Sequence, residues 1–257
     1  MHAFFAIIAF FATLIGAVFG IGGGVIIKPA MEAVSGLHLA HINALSGVTV
    51  LCMAAVSLTR YLKYGDKLST QLFCLSLGAA AGGFLGKYLF DLMKLVMTEA
   101  HAKVLQYAML ILLLSAALLK GKFRSFHIQN KSALFFVGLF MGTLSAFLGI
   151  GGGPINLLVI HIVFGLDAKQ AAVYSVVVIL CSQLATTALT SATGGYAGLD
   201  MLHPLAVMVP AAIAGGLIGP KLHVKWELMR FERYYSYLLW ALIILNVYNI
   251  AHILRVV

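Results

Sequence analysis

Two copies of the pentapeptide GIGGG interrupt long apolar stretches of this chain, at Gly20–Gly24 and at Gly149–Gly153. Glycine in a helix interior costs about 1 kcal/mol relative to alanine, so each cluster should break a helix that contains it. We therefore expect the apolar stretches 3–35 and 132–164 each to form two short helices joined at a cluster. An arrangement of this kind, present twice, restricts the possible folds more than any other feature of the sequence.

The remaining sequence contains further apolar segments, each close to the roughly 20 residues that an α-helix needs to cross a bilayer. Of 257 residues, 62% are hydrophobic and only 10% are charged, whereas soluble domains carry about 25% charged residues. We therefore predict an all-α polytopic membrane protein. The N-terminal segment lacks the basic region and the cleavage site of a signal peptide, so we expect it in the mature protein. The further segments are 42–59, 69–90, 101–119, 170–190, 202–220 and 234–253.

The two halves of the chain resemble each other. A shift of 129 positions superimposes the two glycine clusters and places Ser46 opposite Ser175. A shift of 133 superimposes the GGFLG sequence that begins at Gly82 on the GGLIG sequence that begins at Gly215, and small residues at this spacing are typical of closely packed membrane helices. The pattern predicts two homologous repeats, each made of a glycine-broken helix pair and three transmembrane helices.

The repeat defines the domain organisation. An N-terminal membrane repeat occupies 1–120, a basic connector occupies 121–131, and a C-terminal membrane repeat occupies 132–257. The repeats are parallel if the broken pairs cross the membrane, and inverted if the pairs are re-entrant, entering and returning on one side.

The distribution of basic residues distinguishes the two topologies. Re-entrant pairs place twelve of the 17 Lys and Arg residues on one side, whereas full crossings place eight there. The positive-inside rule therefore favours inverted repeats in the plasma membrane, with the basic loops cytoplasmic and both termini periplasmic or extracellular. The twelve are Arg60, Lys63, Lys67, Lys120, Lys122, Arg124, Lys131, Lys169, Lys221, Lys225, Arg230 and Arg233.

The glycine clusters also predict a binding site. Irregular backbone at membrane depth is tolerated only where it is buried in protein or lines a cavity, and matching breaks in two repeats indicate a substrate site at their interface. The helices after the breaks begin near Gly24 and Gly153, and their first N–H groups carry the positive end of the helix dipole. Since glycine lets an anion approach the backbone closely, we predict a small-anion site there. Close helix packing alone is the alternative interpretation.

Polar side chains inside the apolar segments are the next candidates for this site. Serine hydroxyls and asparagine or glutamine amides could donate hydrogen bonds to an anion. The structural alternatives are serine bonds to a carbonyl of the same helix, and capping or interhelical bonds from the amides. The predicted substrate-binding residues are Gly22, Gly23, Gly24, Asn43, Ser46, Gly151, Gly152, Gly153, Asn156, Ser175 and Gln183.

Lys28, Glu32 and His161 are the candidates for charge or proton coupling near the breaks. Lys28 either attracts the anion or pairs with Glu32 one turn later, and pairing is the favoured interpretation. Glu32 and His161 occupy matching positions of the two repeats and both can titrate, although a structural role is favoured for each.

Several functional classes are disfavoured. The sequence contains neither H-E-x-x-H nor G-x-S-x-G, and Cys52, Cys74 and Cys181 are isolated in apolar segments. We expect no catalytic residue, no metal site and no cofactor, and therefore no enzyme. The net charge of +9 resides in short loops, where it sets membrane orientation and does not indicate nucleic-acid binding. The expected partners are a small anion and the lipid bilayer, and the sequence is compatible with a homodimer.

The sequence resembles the sulfite exporter TauE/SafE family, also described as toluene-sulfonate uptake permeases. The resemblance rests on GIGGGVIIKP with the downstream AHINALS, and on GIGGGPINLLVI with LDAKQAAVYS. It implies a secondary transporter that moves sulfite, sulfate, thiosulfate or an organosulfonate by alternating access, coupled to protons. An anion channel with the same half-helix site is the alternative function.

Overall fold

The computed structural model describes residues 2–64, 69–119 and 125–256, and these ranges contain ten α-helices and no strand. Both glycine clusters fall between helices, as predicted. Residues 121–124 of the predicted connector lie outside the described residues. In chain order the helices are α1 (His2–Phe19), α2 (Gly24–Ser35), α3 (Leu39–Lys63), α4 (Thr70–Val96), α5 (Glu99–Leu118), α6 (Lys131–Leu148), α7 (Pro154–Phe164), α8 (Ala168–Ala192), α9 (Leu202–Lys225) and α10 (Leu228–Val256).

Seven of the described helices are long and apolar enough to cross a bilayer, namely α3, α4, α5, α6, α8, α9 and α10. Six of them correspond to the six segments predicted from the sequence, and the seventh, α6, is the helix before the second glycine cluster. Large apolar side chains cover the outside of the molecule, including Leu112 at 69% and Trp240 at 57% exposure. Apolar surface on this scale requires lipid around it. The chain is a multi-pass membrane protein.

The helices of the two halves are interleaved. α1 lies along α9, and its counterpart α6 lies along α4. Both contacts use the GGxxG sequences, where a side chain would not fit. A Cβ atom placed on Gly215 would lie only 2.7 Å from the Leu14 nitrogen, and one placed on Gly82 would lie 2.7 Å from the Thr143 nitrogen. The close helix packing predicted for these sequences is therefore confirmed.

The contacts also give the relative directions of the helices. Gly215 lies beside Leu14, and Gly219, one turn later, lies beside Val18, so α1 and α9 run the same way. Successive glycines of α4 follow successive turns of α6 in the same manner, so these two helices also run together.

α3 runs with α9, because His41 Nε2 lies 2.8 Å from the carbonyl that precedes α9 and Ser57 Oγ donates to the Gly216 carbonyl at 3.2 Å. α8 runs with α4. α5 begins beside α3, where the Leu39 nitrogen donates to Glu99 Oε1 at 2.8 Å. Since only residues 97–98 separate α4 from α5, α4 ends where α3 begins. Thus α1, α3 and α9 run one way, and α4, α6 and α8 run the other.

The first glycine cluster turns the chain back on itself. A Cβ atom placed on Gly23 would lie 3.1 Å from the Ala12 carbonyl, and one placed on Gly16 would lie 2.5 Å from the Gly23 nitrogen. α2 therefore packs antiparallel to α1. The end of α1 lies near the last turn of α3, where the Tyr61 hydroxyl donates to the Ala17 carbonyl. α2 then returns the chain to the start of α3.

Candidate functional site

The two glycine clusters contact each other, and we call this contact the glycine junction. The Gly153 nitrogen donates to the Ile21 carbonyl at 3.0 Å, and an added Cβ on Gly22 would lie 3.1 Å from the Gly151 carbonyl. The φ angle is 68° at Gly22 and 123° at Gly152, in a region that only glycine adopts readily. The cluster glycines predicted to bind the substrate are all buried, as irregular backbone in a membrane must be.

The helix that follows the second cluster has fewer N–H groups available than the sequence suggests. Pro154, its first residue, has no N–H. The Gly153 N–H is bonded to Ile21, and the Asn156 N–H donates to the Gly153 carbonyl at 3.1 Å. The two helix N-termini at the junction are therefore unequal, because Val25 takes the place of Pro154 at the start of α2.

Five polar residues predicted to bind the anion lie on the helices around the junction. Two of them lie against the second cluster. A Cβ atom placed on Gly152 would lie 2.5 Å from the Asn156 amide nitrogen, and one placed on Gly151 would lie 3.6 Å from Gln183 Cγ. Each of the five has a buried side-chain atom without a hydrogen-bond partner in the described part of the chain. These residues are Asn43, Ser46, Asn156, Ser175 and Gln183. An unpaired buried polar group costs about 1–3 kcal/mol, so these five residues are candidates to bind a polar guest.

Replacing Ser46 and Ser175 together by alanine is expected to weaken anion binding without destabilising the protein. Both side chains are 0% exposed and neither hydroxyl has a partner among the described residues. Their removal therefore eliminates a burial cost of about 1 kcal/mol each. Thermal unfolding in detergent should show an unchanged or raised midpoint, while the concentration of anion needed for half-maximal binding should rise. A lowered midpoint with unchanged binding would assign both serines a structural role.

Lys28 does not pair with Glu32, contrary to the favoured sequence interpretation. Lys28 is 1% exposed, and its ammonium group donates to the Leu148 carbonyl at 2.6 Å and to Gln106 Oε1. Glu32 instead lies 2.9 Å from Lys103 Nζ. Lys28 thus binds the last carbonyl of α6, immediately before the second glycine cluster, where the helix dipole favours a cation.

The third coupling candidate, His161, lies at the far end of α7. Its Nδ1 is 2.7 Å from the Leu166 carbonyl, in the turn between α7 and α8. Glu32 borders a cavity that Glu99 and Lys103 also line and that contains no residue of the glycine junction. The structure therefore places Lys28 beside the glycine junction and the other two coupling candidates away from it.

A cavity of about 50 Å³ reaches the junction from the end of the molecule where α3 begins. Two of the predicted substrate-binding residues, Asn43 and Gln183, line it together with Gly149, the first glycine of the second cluster. The sequence analysis missed the other polar lining residues, which come from the end of α4 and from α8 with its following loop. They are Lys87, Lys94, Thr186, Thr187, Thr190 and Tyr196. Lys87 lies inside the predicted segment 69–90 and Lys94 just after it, so both could have been recognised as rare charges in or beside a span.

A family model described as "Sulfite exporter TauE/SafE" matches residues 5–246, nearly the whole chain. The chain belongs to the TauE/SafE family. The match includes both glycine clusters and confirms the family predicted from them. TauE/SafE proteins are membrane transporters and not enzymes. A comparison with curated proteins gave no match.

In this TauE/SafE protein, aromatic side chains close the junction at the opposite end, where α3 ends. The Phe19 ring packs against Phe231, Trp226 and Tyr235, with centroid distances of 4.9, 5.8 and 5.8 Å. Beside them, His223 Nδ1 lies 2.7 Å from the Val18 carbonyl. A hollow lined by Lys169, Gln170 and His223 lies outside this closure and includes no junction residue.

Proposed function

We propose that this TauE/SafE protein is a secondary transporter that moves a small sulfur-containing anion across the plasma membrane by alternating access. The candidate substrates are sulfite, sulfate, thiosulfate and organosulfonates. The observation that carries the proposal is the group of unpaired polar side chains at the glycine junction, because they lie between a cavity at one end and an aromatic closure at the other. A site accessible from one end at a time is what alternating access requires.

The proposal includes inverted repeats with re-entrant broken pairs. The matched helices α1 and α6 run in opposite directions, as do α3 and α8, and α4 and α9. α6 is the counterpart of α1, and α4 is the counterpart of α9. The contact of α1 with α9 is therefore equivalent to the contact of α6 with α4. These relations support a two-fold axis in the membrane plane, the symmetry from which two alternating conformations of one fold can arise.

The orientation follows from the positive-inside rule. Described basic residues are concentrated at the end where α3 and α9 finish, and include Lys63, Lys131, Lys169, Lys225 and Arg230. This end is proposed to be cytoplasmic. The cavity at the other end then opens to the periplasm or the cell exterior, on the same side as both termini.

Proton coupling is proposed to involve Glu32. Its Oε1 lies 2.9 Å from Lys103 Nζ, while its buried Oε2 has no hydrogen-bond partner among the described residues. The unpaired oxygen has lone pairs available for a proton.

Flux into proteoliposomes tests the function. Purified protein should accelerate uptake of radiolabelled sulfate or sulfite with saturation, and an imposed pH gradient should change the initial rate. Glu32→Gln should remove the response to the gradient while leaving exchange of labelled for unlabelled anion intact. The proposal is wrong if none of the four anion classes shows saturable flux. Large currents carried by the anion alone in planar bilayers would instead identify a channel.

A further inference from the structure

The cavity beside the glycine junction has one positively charged wall. Lys87 and Lys94 lie on α4 and both line the cavity, and Asp91 lies between them in the sequence. Asp91 Oδ2 accepts a hydrogen bond from Lys87, and Asp91 Oδ1 lies 2.7 Å from Lys94 Nζ. Two ammonium groups share one carboxylate, so the cluster carries a net positive charge.

Within the described part of the chain, both ammonium groups have donors left for a ligand. An ammonium has three N–H groups, and Asp91 occupies one from each lysine. Lys87 is only 8% exposed, and its ion pair with Asp91 offsets the cost of burying the charge. Lys94 Nζ lies 5.1 Å from the centroid of the Phe90 ring, which also lines the cavity.

The deep end of the cavity presents amide groups. Gln183 is 2% exposed, and its Nε2 has no partner among the described residues. Both amide atoms of Asn43 also lack a hydrogen-bond partner there. Nearby hydroxyl protons are directed elsewhere: Thr186 donates to the Ser182 carbonyl at 2.9 Å and Thr190 to the Thr186 carbonyl at 2.8 Å. The unpaired Gln183 Nε2 and Asn43 Nδ2 carry N–H donors, which suit an anion.

We infer that this cavity binds a compact inorganic oxyanion, which Lys87 and Lys94 attract and the amides of Asn43 and Gln183 bind. This inference rests on the proposed transport function and restricts its substrate class. The cavity volume of about 50 Å³ has room for about three to five water molecules, at about 10–15 Å³ each. Sulfite or sulfate fits such a space, whereas an aromatic sulfonate requires the walls to move apart.

Kinetics of lysine variants test the assignment. Lys87→Met should raise the KM for sulfate uptake by about tenfold or more, as expected for loss of a charge-assisted contact. Lys87→Arg should stay close to wild type, and Lys221→Met, an exposed lysine on the matching helix α9, should leave the KM unchanged. p-Toluenesulfonate should compete at least about tenfold more weakly than sulfite.

A double variant separates binding from structure. If Lys87 serves only to neutralise Asp91, Lys87→Met combined with Asp91→Leu should restore the wild-type KM. We expect the KM to remain high, because the anion has still lost its ammonium partner. Recovery of the wild-type KM in the double variant would overturn the assignment.

Cysteine labelling tests the same site without requiring transport. Thr187→Cys is placed in a background with serine at Cys52, Cys74 and Cys181. An anionic methanethiosulfonate should then react faster than a cationic one, and sodium sulfate should slow the anionic reagent. Lys87→Met should abolish both the preference and the protection. Equal rates for the two reagents, with no protection by sulfate, would contradict the inference.

The transport measurements and the labelling measurements distinguish a wrong function from a wrong site. If wild-type protein moves no sulfur anion while the labelling preference and protection hold, the transport function is wrong and the binding site stands. If wild-type protein transports sulfate and the lysine variants keep both its KM and its labelling ratio, the function stands and the site is wrong.

Discussion

Replacing Gly142 with leucine is expected to separate α6 from α4 and to prevent most of the protein from folding. An added Cβ at this position would lie 2.8 Å from the Cα of Ala79, and main-chain atoms cannot move aside as side chains can. Forcing a bulky group into such a contact costs about 3 kcal/mol or more. Gel filtration in detergent should show loss of the monodisperse peak, and any remaining folded protein should unfold at a lower temperature.

Phe140→Leu is the matched control for this substitution. Phe140 lies on the same helix and is 56% exposed on the outer surface, so a leucine there should leave both the peak and the unfolding temperature unchanged. If Gly142→Leu behaves like the control, the close contact between α4 and α6 is not required for folding.

Lys28→Met is expected to destabilise the second glycine cluster and to abolish most transport. The Lys28 ammonium donates to the Leu148 carbonyl, and Gln106 Nε2 donates to the neighbouring Phe147 carbonyl at 2.6 Å. Removing the charged donor leaves a buried carbonyl unpaired, at a cost of about 2–3 kcal/mol. Thermal unfolding should report the loss of stability, and proteoliposome flux should report the loss of activity.

Lys131→Met provides the comparison, because Lys131 is an exposed residue at the other end of α6. Its removal should change neither measurement. Wild-type flux and an unchanged unfolding midpoint in Lys28→Met would show that the contact with Leu148 makes no contribution to the junction.

The sequence predicted the helices well because their signals are local. The glycine clusters end α1 and α6 as expected, and the six apolar segments each correspond to one long helix. The errors were in length: the segment predicted as 69–90 is the helix Thr70–Val96, and the segment predicted as 234–253 is the helix Leu228–Val256.

The site was predicted less completely because its contacts are long-range. Asn43, Ser46, Asn156, Ser175 and Gln183 were found as rare polar residues in apolar segments. The partners of Lys28, by contrast, lie 78 and 120 residues away along the chain. Helical spacing pointed to Glu32, one turn away, and could not reveal that the start of α2 lies beside the end of α6. Only the three-dimensional packing shows this.

The interleaving of the two halves has a consequence for biogenesis. The ribosome delivers α1 and α4 to the membrane before their partners, α9 and α6, have been synthesised. Until those partners are inserted, the small-residue faces of the early helices can contact only lipid, which fills such grooves poorly. The N-terminal half therefore reaches its mature packing only after translation of α9, and a chain terminated between the halves would present unpartnered helices to membrane quality control.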